Sequence, residues 1–265
     1  MPIVDPQRVT IATVFENHPL AAQEAEILFR TLIRYGGALT AARRVACAVG
    51  SVDQFYVEVL SEFDVEVVVV EPIDHRYPAA SLLRALECAD DSCDVILAVA
   101  PDIAFAEDIS AWISSDAISA RAGSGVDAGV LSVPARHCAQ LRSDWLYQLH
   151  RLLDGAPDAS AEDALEQQAL AIALEQVGVP IIELPVEIGF TPYLDISAQL
   201  YPNQVMPFVV RHAHHLQPDS GELMHTPYEL PNRVIGQIND SFADDVAPSD
   251  THSSLHQSTS PGDFQ

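Results

Sequence analysis

The stretch "ILAVAPDIAF", residues 96–105, is an unbroken apolar run interrupted near its carboxyl end by Pro101 and Asp102. Continuous rather than alternating hydrophobicity marks a strand covered on both faces, and therefore a largely parallel sheet. A carboxylate at the end of such a strand turns the chain, caps a helix near 106–113, or faces a cleft. The same pattern recurs in "RVTIATVF" (8–15), "RVACAVGS" (44–51), "VEVVVVEPI" (65–73) and "DVILAVAPD" (94–102). Between the first two lies "ENHPLAAQEAEILFRTLIRYGG", where Pro19 suits a first helical turn and Gly36 and Gly37 its end. Ala21, Ala25, Leu28, Leu32 and Tyr35 set its apolar spacing. Further helices are predicted over 52–63 and 78–89. Strands alternating with helices define an α/β fold with a mixed, mainly parallel central sheet.

Beyond residue 105 the pattern predicts a strand over 125–135, a helix over 144–155 and a second helix over 161–177. Ser160 and Asp163 give that second helix a start like a capping box, and Leu165, Ala169, Ile172 and Gln176 its packed face. "VPIIELPVEIGF" (179–190) reads as a strand and loop. From 241 onward the chain is rich in Ser, Asp, Pro and His and poor in aliphatics, which predicts a disordered tail over 241–265 and one domain over 1–240.

Composition excludes several classes. The 265 residues are 48% apolar, enough for a substantial core, and carry 38 acidic side chains against 13 arginines and no lysine, a formal net charge of −25. Such a surface repels nucleic acid, and it suits high salt or a genome poor in lysine codons. No window approaches the roughly 18 apolar residues of a membrane span, and the start lacks signal-peptide features, so a cytoplasmic location is expected. Cys47, Cys88, Cys93 and Cys138 lack zinc-ligand spacing and read as reduced core residues. No glycine-rich loop follows the first strand, which argues against dinucleotide enzymes and sugar-phosphate nucleotidyltransferases, and Gly-x-Ser-x-Gly and P-loop motifs are missing.

Five features occur in one order: Arg84 in "SLLRALE", Asp102 in "LAVAPDI", Asp127 in "GVDAGVLSV", Glu166 and Gln167 in "LEQQALAIAL", and His212 and His214 in "VVRHAHH". This order resembles A-type nucleotide-sugar glycosyltransferases of the glycogenin-like and lipopolysaccharide galactosyltransferase-like group, over roughly residues 9–215. The resemblance implies a three-layer Rossmann-like glycosyltransferase A-type fold. It implies transfer of a sugar from a nucleoside diphosphate sugar to a hydroxyl acceptor, and leaves a homodimer open. The alternative is an inactive sugar-nucleotide-binding or scaffold relative.

Residue roles follow from the same resemblance. A diphosphate leaving group concentrates negative charge, so a divalent cation, manganese or magnesium, together with an arginine stabilises it. Asp102, His212 and His214 would hold the metal and Arg84 the diphosphate. Val14, Phe15, Ala100 and Ala128 would line the donor nucleotide and sugar beside Arg84 and Asp102. Asp127, Glu166 and Gln167 would face the reacting sugar. The first aspartate of the family's Asp-x-Asp motif is Ala100 here, which removes one hard oxygen ligand from the expected metal site.

Overall fold

A computed structural model describes residues 4–73, 78–121, 127–155, 162–193 and 205–243. The chain begins β1 (Val9–Glu16), α1 (Pro19–Tyr35), β2 (Arg43–Val49), α2 (Gln54–Ser61), β3 (Val65–Val70). Helix α1 starts where its sequence says it should: Pro19 occupies the first turn and the His18 imidazole accepts the Leu20 N–H at 3.2 Å. It ends at Gly36, whose N–H returns to the Leu32 carbonyl at 2.8 Å. Helix α2 is capped by the Asp53 carboxylate on the Phe55 N–H.

Next come β4 (Val95–Val99), β5 (Ile103–Phe105), β6 (Ile118–Arg121) and β7 (Asp127–Pro134). They are followed by α3 (Ala135–Gly155), α4 (Glu162–Val177), β8 (Ile181–Glu183), β9 (Ile188–Phe190), β10 (Val209–Arg211) and α5 (Glu229–Ala243). Seven strands form one sheet in the order β3-β2-β1-β4-β7-β6-β8, and three form a small sheet, β5-β10-β9. In the large sheet only β7 runs against its neighbours; β1 pairs in parallel with β2 and β4, β2 with β3, and β6 with β8. The fold is therefore the expected mixed, mainly parallel α/β architecture.

Alternate residues of the strands feed two cores, the consequence of the two-residue strand period. Ala12, Val14, Cys47, Ile96, Ala98, Leu131 and Val133 pack on α3, α4 and the 3-10 helix Pro78–Cys88. Ile11, Phe15, Ala46, Leu97, Val99 and Val130 pack on α1, Leu60 of α2 and the small sheet. A third cluster joins Ile27 of α1, Ala104, Val210 and the Val234, Ile235 and Ile238 face of α5.

Several expectations are corrected. The segment predicted as a helix over 78–89 is a 3-10 helix ending at Cys88. The helix expected at 144 begins at Ala135, and its buried Cys138, Leu141, Trp145 and Leu149 recur at helical spacing. Residues 179–190 hold two strands in different sheets, the second with Gly189 at φ 73 in its middle. Around α4 the packed face is Ala169, Leu170, Ala173, Leu174 and Val177, and Gln176 is exposed. Apolar residues nearly encircle that helix, so its pattern left the contact face undetermined; packing against α3 selects the side with two alanines, which permit close approach. Helix α5 was not foreseen at all and runs to Ala243, with Ser241 buried, three residues past the expected domain edge. The rest of the expected tail, 244–265, lies outside the described residues. Among the described residues no helix is long and apolar enough to cross a membrane.

Candidate functional site

Strand directions gather the carboxyl ends of β1 to β4 and β6, and the amino end of β7, on one edge of the large sheet. On that edge Val14 stands opposite Cys47, and Arg121 opposite Asp127. The Ala100 N–H donates to the Gly129 carbonyl at 2.9 Å, extending the β4–β7 ladder one residue past Val99–Val130. Continuing the β1–β4 register two residues beyond Ala12–Ala98 sets Val14 beside Ala100. Val14 and Phe15 are both buried, one in each core, and Ala100 is half-buried. Asp127 and Ala128 open β7; their side chains lie outside the described ones.

Asp102 lies two residues beyond this row, where the chain leaves β4 to enter β5. Strand β10 pairs antiparallel with β5, Arg211 facing Ile103, and the His212 N–H donates to the Asp102 carbonyl at 2.9 Å. The ladder thus continues on both sides of the Asp102 side chain. Its carboxylate Oδ2 accepts the Arg211 Nε–H at 2.9 Å. Asp102 is 4% exposed, while the Arg211 side chain keeps 32% of its surface in solvent. The other oxygen, Oδ1, is buried without a hydrogen-bond partner among the described residues. Pro101 and Asp102 do form the turn between β4 and β5, with the Asp102 carboxylate buried against Arg211, and over 106–113 there is only the 3-10 helix Ser110–Trp112, so Asp102 caps no helix there.

After β10 the chain reverses through His212–His215, closed by the His215 N–H on the His212 carbonyl at 2.9 Å. Its two central residues, Ala213 and His214, have φ of 47 and 65, a left-handed pair without glycine. Such positions cost of order 1 kcal/mol or more each and persist where surrounding contacts hold them. One such contact joins His214 Nδ1 to the Glu24 carboxylate at 2.6 Å; another stacks the His215 ring on Tyr193 at 4.5 Å between centroids. Glu24 comes from α1 and is 1% exposed; burial pushes its carboxyl above the usual range, and His214 pulls it back. Beside Glu24 sits the His212 ring, wholly buried, with neither nitrogen hydrogen-bonded among the described residues and Nδ1 3.9 Å from Glu24. Burial lowers its pKa to about 4, so the ring is neutral near pH 7.

The remaining expected residues are more dispersed. Arg84 sits on the 3-10 helix and donates from Nε to the carbonyl of Glu71, just past β3, at 2.9 Å. That places it near the same edge, though its Nη1 is 2.8 Å from both oxygens of Glu87, which Arg142 also contacts. Glu166 and Gln167 are half-buried near the start of α4, with Glu166 Oε1 out of reach of solvent. The three expected metal ligands do not form one donor set: Asp102 gives Oδ2 to Arg211 and His214 gives Nδ1 to Glu24. Among the described residues no group of three His, Cys, Asp or Glu side chains is arranged to hold a metal ion. With Ala100 in place of a carboxylate and a guanidinium already on Asp102, the residues present do not fit a divalent cation.

Sequence reasoning missed Glu24 and Arg211. Glu24 carried a signal in its spacing: with Thr31 seven residues on, it puts two polar groups on a buried helical face. Thr31 satisfies itself, donating to Ile27 and accepting the Phe105 N–H at 3.0 Å, whereas Glu24 faces the His214 turn. Arg211 was within the quoted stretch, but only the pairing of β10 with β5 shows that it meets Asp102.

No protein-family model and no curated protein matches this sequence. Solved structures do match in shape. The apo form of the glycosyltransferase GlyE from Streptococcus pneumoniae TIGR4 superposes with a TM-score of 0.57 at 12% identity, covering 90% of this chain. The chain spans 64% of the length of GlyE. Mouse xyloside xylosyltransferase 1, also in its apo form, superposes with a TM-score of 0.50 at 10% identity, covering 77% of this chain and 96% of the mouse protein. At these identities the likeness concerns shape, and together with the strand order it establishes the three-layer, Rossmann-like glycosyltransferase A-type fold.

Proposed function

We propose that this protein transfers a sugar from a nucleoside diphosphate sugar to a hydroxyl-bearing acceptor. In open α/β sheets ligands bind beyond the carboxyl ends of the strands. The observation that carries the reading is the set of guanidinium groups found there: in a chain of net charge −25, Arg84, Arg121 and Arg211 all lie at that edge, Arg84 braced by Glu87 and Arg211 by Asp102. Cations gathered against such a background suit a polyanionic donor.

In the reaction the bond between the anomeric carbon and the phosphate oxygen breaks, and its electron pair leaves with the nucleoside diphosphate. The acceptor oxygen forms the new bond to that carbon and loses its proton to the departing phosphate. Arg84 is assigned to the diphosphate. Asp127, with the Ala128 and Gly129 backbone, and Glu166 with Gln167, are assigned to the sugar hydroxyls; Val14, Phe15 and Ala100 form the floor beneath the nucleotide. GlyE is a glycosyltransferase and xyloside xylosyltransferase 1 a xylosyltransferase, which favours catalysis over the alternative of a binding protein without activity. Ala100 and the neutralisation of Arg84 by Glu87 favour that alternative.

A thermal-shift panel of UDP- and GDP-hexoses tests the reading. A ligand bound only by the folded protein raises the melting temperature by mass action, at about 2.7 kcal/mol for a concentration of 100 Kd. At least one donor should stabilise the chain; none doing so refutes the proposal. Slow release of nucleoside diphosphate from the stabilising donor, with water as acceptor, separates a transferase from a binding protein.

A further inference from the structure

We propose that Arg211, held on Asp102, is the fixed cation that receives the donor diphosphate, so that donor binding needs no divalent metal. The inference rests on the nucleotide-sugar reading above and names the group that does the electrostatic work within it.

Three observations lead to it. The carboxylate at the end of β4 is not waiting for a metal ion: its Oδ2 is 2.9 Å from Arg211 Nε. A divalent ion brought to Asp102 would meet the guanidinium first, and like charges at such range repel strongly in a site this buried. The position where the resemblance expects a second carboxylate, which would outweigh that repulsion, holds Ala100. The arginine, in turn, is built into the fold. Backbone pairing of Arg211 with Ile103 and of His212 with Asp102 brackets the side-chain pair, so the guanidinium is positioned before any ligand arrives. Lastly, the pair is graded in exposure: the carboxylate is 4% exposed and the arginine side chain 32%. The buried partner anchors and the open one meets solvent. Pre-positioned positive charge in a partly dry site is what stabilises a departing diphosphate, and a planar guanidinium matches phosphate oxygens in pairs. Glu24 and His214 hold the turn that follows Arg211 through their 2.6 Å contact.

The test measures binding of the most stabilising donor of the UDP- and GDP-hexose panel by calorimetry, in EDTA and in manganese, to the full-length protein and its variants. Equal affinity in EDTA and in manganese is expected. Arg211→Gln should weaken binding about 10- to 100-fold, and Arg211→Lys, which keeps the charge and loses the fork, should fall between. Because Arg211→Gln leaves Asp102 buried and unpaired, the double variant Asp102→Asn/Arg211→Gln serves as a folded control with a neutral pair. It should melt near the wild type and bind as weakly as Arg211→Gln. Donor binding that vanishes in EDTA and returns with manganese overturns the inference and leaves the nucleotide-sugar reading standing. Wild-type affinity in the double variant also overturns it. No binding of any donor to the wild type, in either condition, overturns both.

Discussion

Acid should unfold this protein partly through one residue, His212. The ring is 0% exposed, neither nitrogen is hydrogen-bonded among the described residues, and its pKa is lowered from 6.5 to about 4, chiefly by burial. Groups facing it are Asp102 at the end of β4, Glu24 on α1, and Arg211, His214 and His215 on its own segment; Asp102 favours protonation and the three basic neighbours oppose it. Between pH 6.5 and 4 the unfolded imidazole binds a proton that the folded one does not, so stability falls as pH falls through that window. From the two pKa values, moving from pH 7 to pH 5 costs the folded state about 2 kcal/mol, and the full loss below pH 4 approaches about 3 kcal/mol. Glu24, whose carboxyl is raised, works in the opposite direction and would mask the effect in the wild type alone. The measurement is therefore a difference: urea denaturation of wild type and His212→Gln at pH 7 and pH 5, with chelator throughout. The wild type should lose about 2 kcal/mol more than the variant. Parallel losses would mean that His212 titrates normally when folded, and that the ring is neither as dry nor as unpaired as its geometry states.

Three further outcomes are expected. Cys88 should be alkylated ahead of the other thiols, because its hydrogen bond with Cys47, 3.6 Å away, and the Arg43 charge lower its pKa, while burial holds Cys138 up at about 12; timed iodoacetamide labelling with peptide mapping reads the order. Gly37→Ala should destabilise the fold by about 1–3 kcal/mol in urea, since Gly37 has φ of 54 and a β-carbon there would strike the Asp108 side chain that accepts the Ala38 N–H. Arg84→Ala should weaken the best hexose donor about 10- to 100-fold if Arg84 meets the diphosphate; a lower melting temperature with unchanged affinity would leave it only the structural bonds to Glu71 and Glu87.

What the sequence disclosed, and what it concealed, divides by the range of the contacts involved. Strands β1, β2 and β4 were legible because burial on both faces writes itself as an uninterrupted apolar run, and α1 because Pro19 and Gly36 mark its ends locally; the equally apolar β3 departs from that rule, since it is an edge strand with Val68 and Val69 exposed. Helix α5 hid behind Pro231 and Gly236, residues that weaken intrinsic helix preference; its Val234, Ile235 and Ile238 face becomes decisive only against α1 and the small sheet. Asp102 was visible as a carboxylate out of place at the end of a buried strand. Its partner was not, since nothing local to either residue announces a meeting between positions 109 apart. Glu24 and His214 are separated further still, by 190 positions.

That separation has a consequence for how the protein comes into being. Residues 9 to 134 contain every strand of the large sheet but β8, and much of it can pair before the last third of the chain exists. The candidate site cannot assemble so early, because β10 and the turn after it supply Arg211, His212 and His214 to an edge whose other residues come from earlier in the chain. Until that segment docks, Glu24 and Asp102 are two carboxylates without the His214 and Arg211 partners they have in the folded chain. The growing chain thus carries an unfinished cleft, and the arrival of the seven residues 209–215 is what completes it.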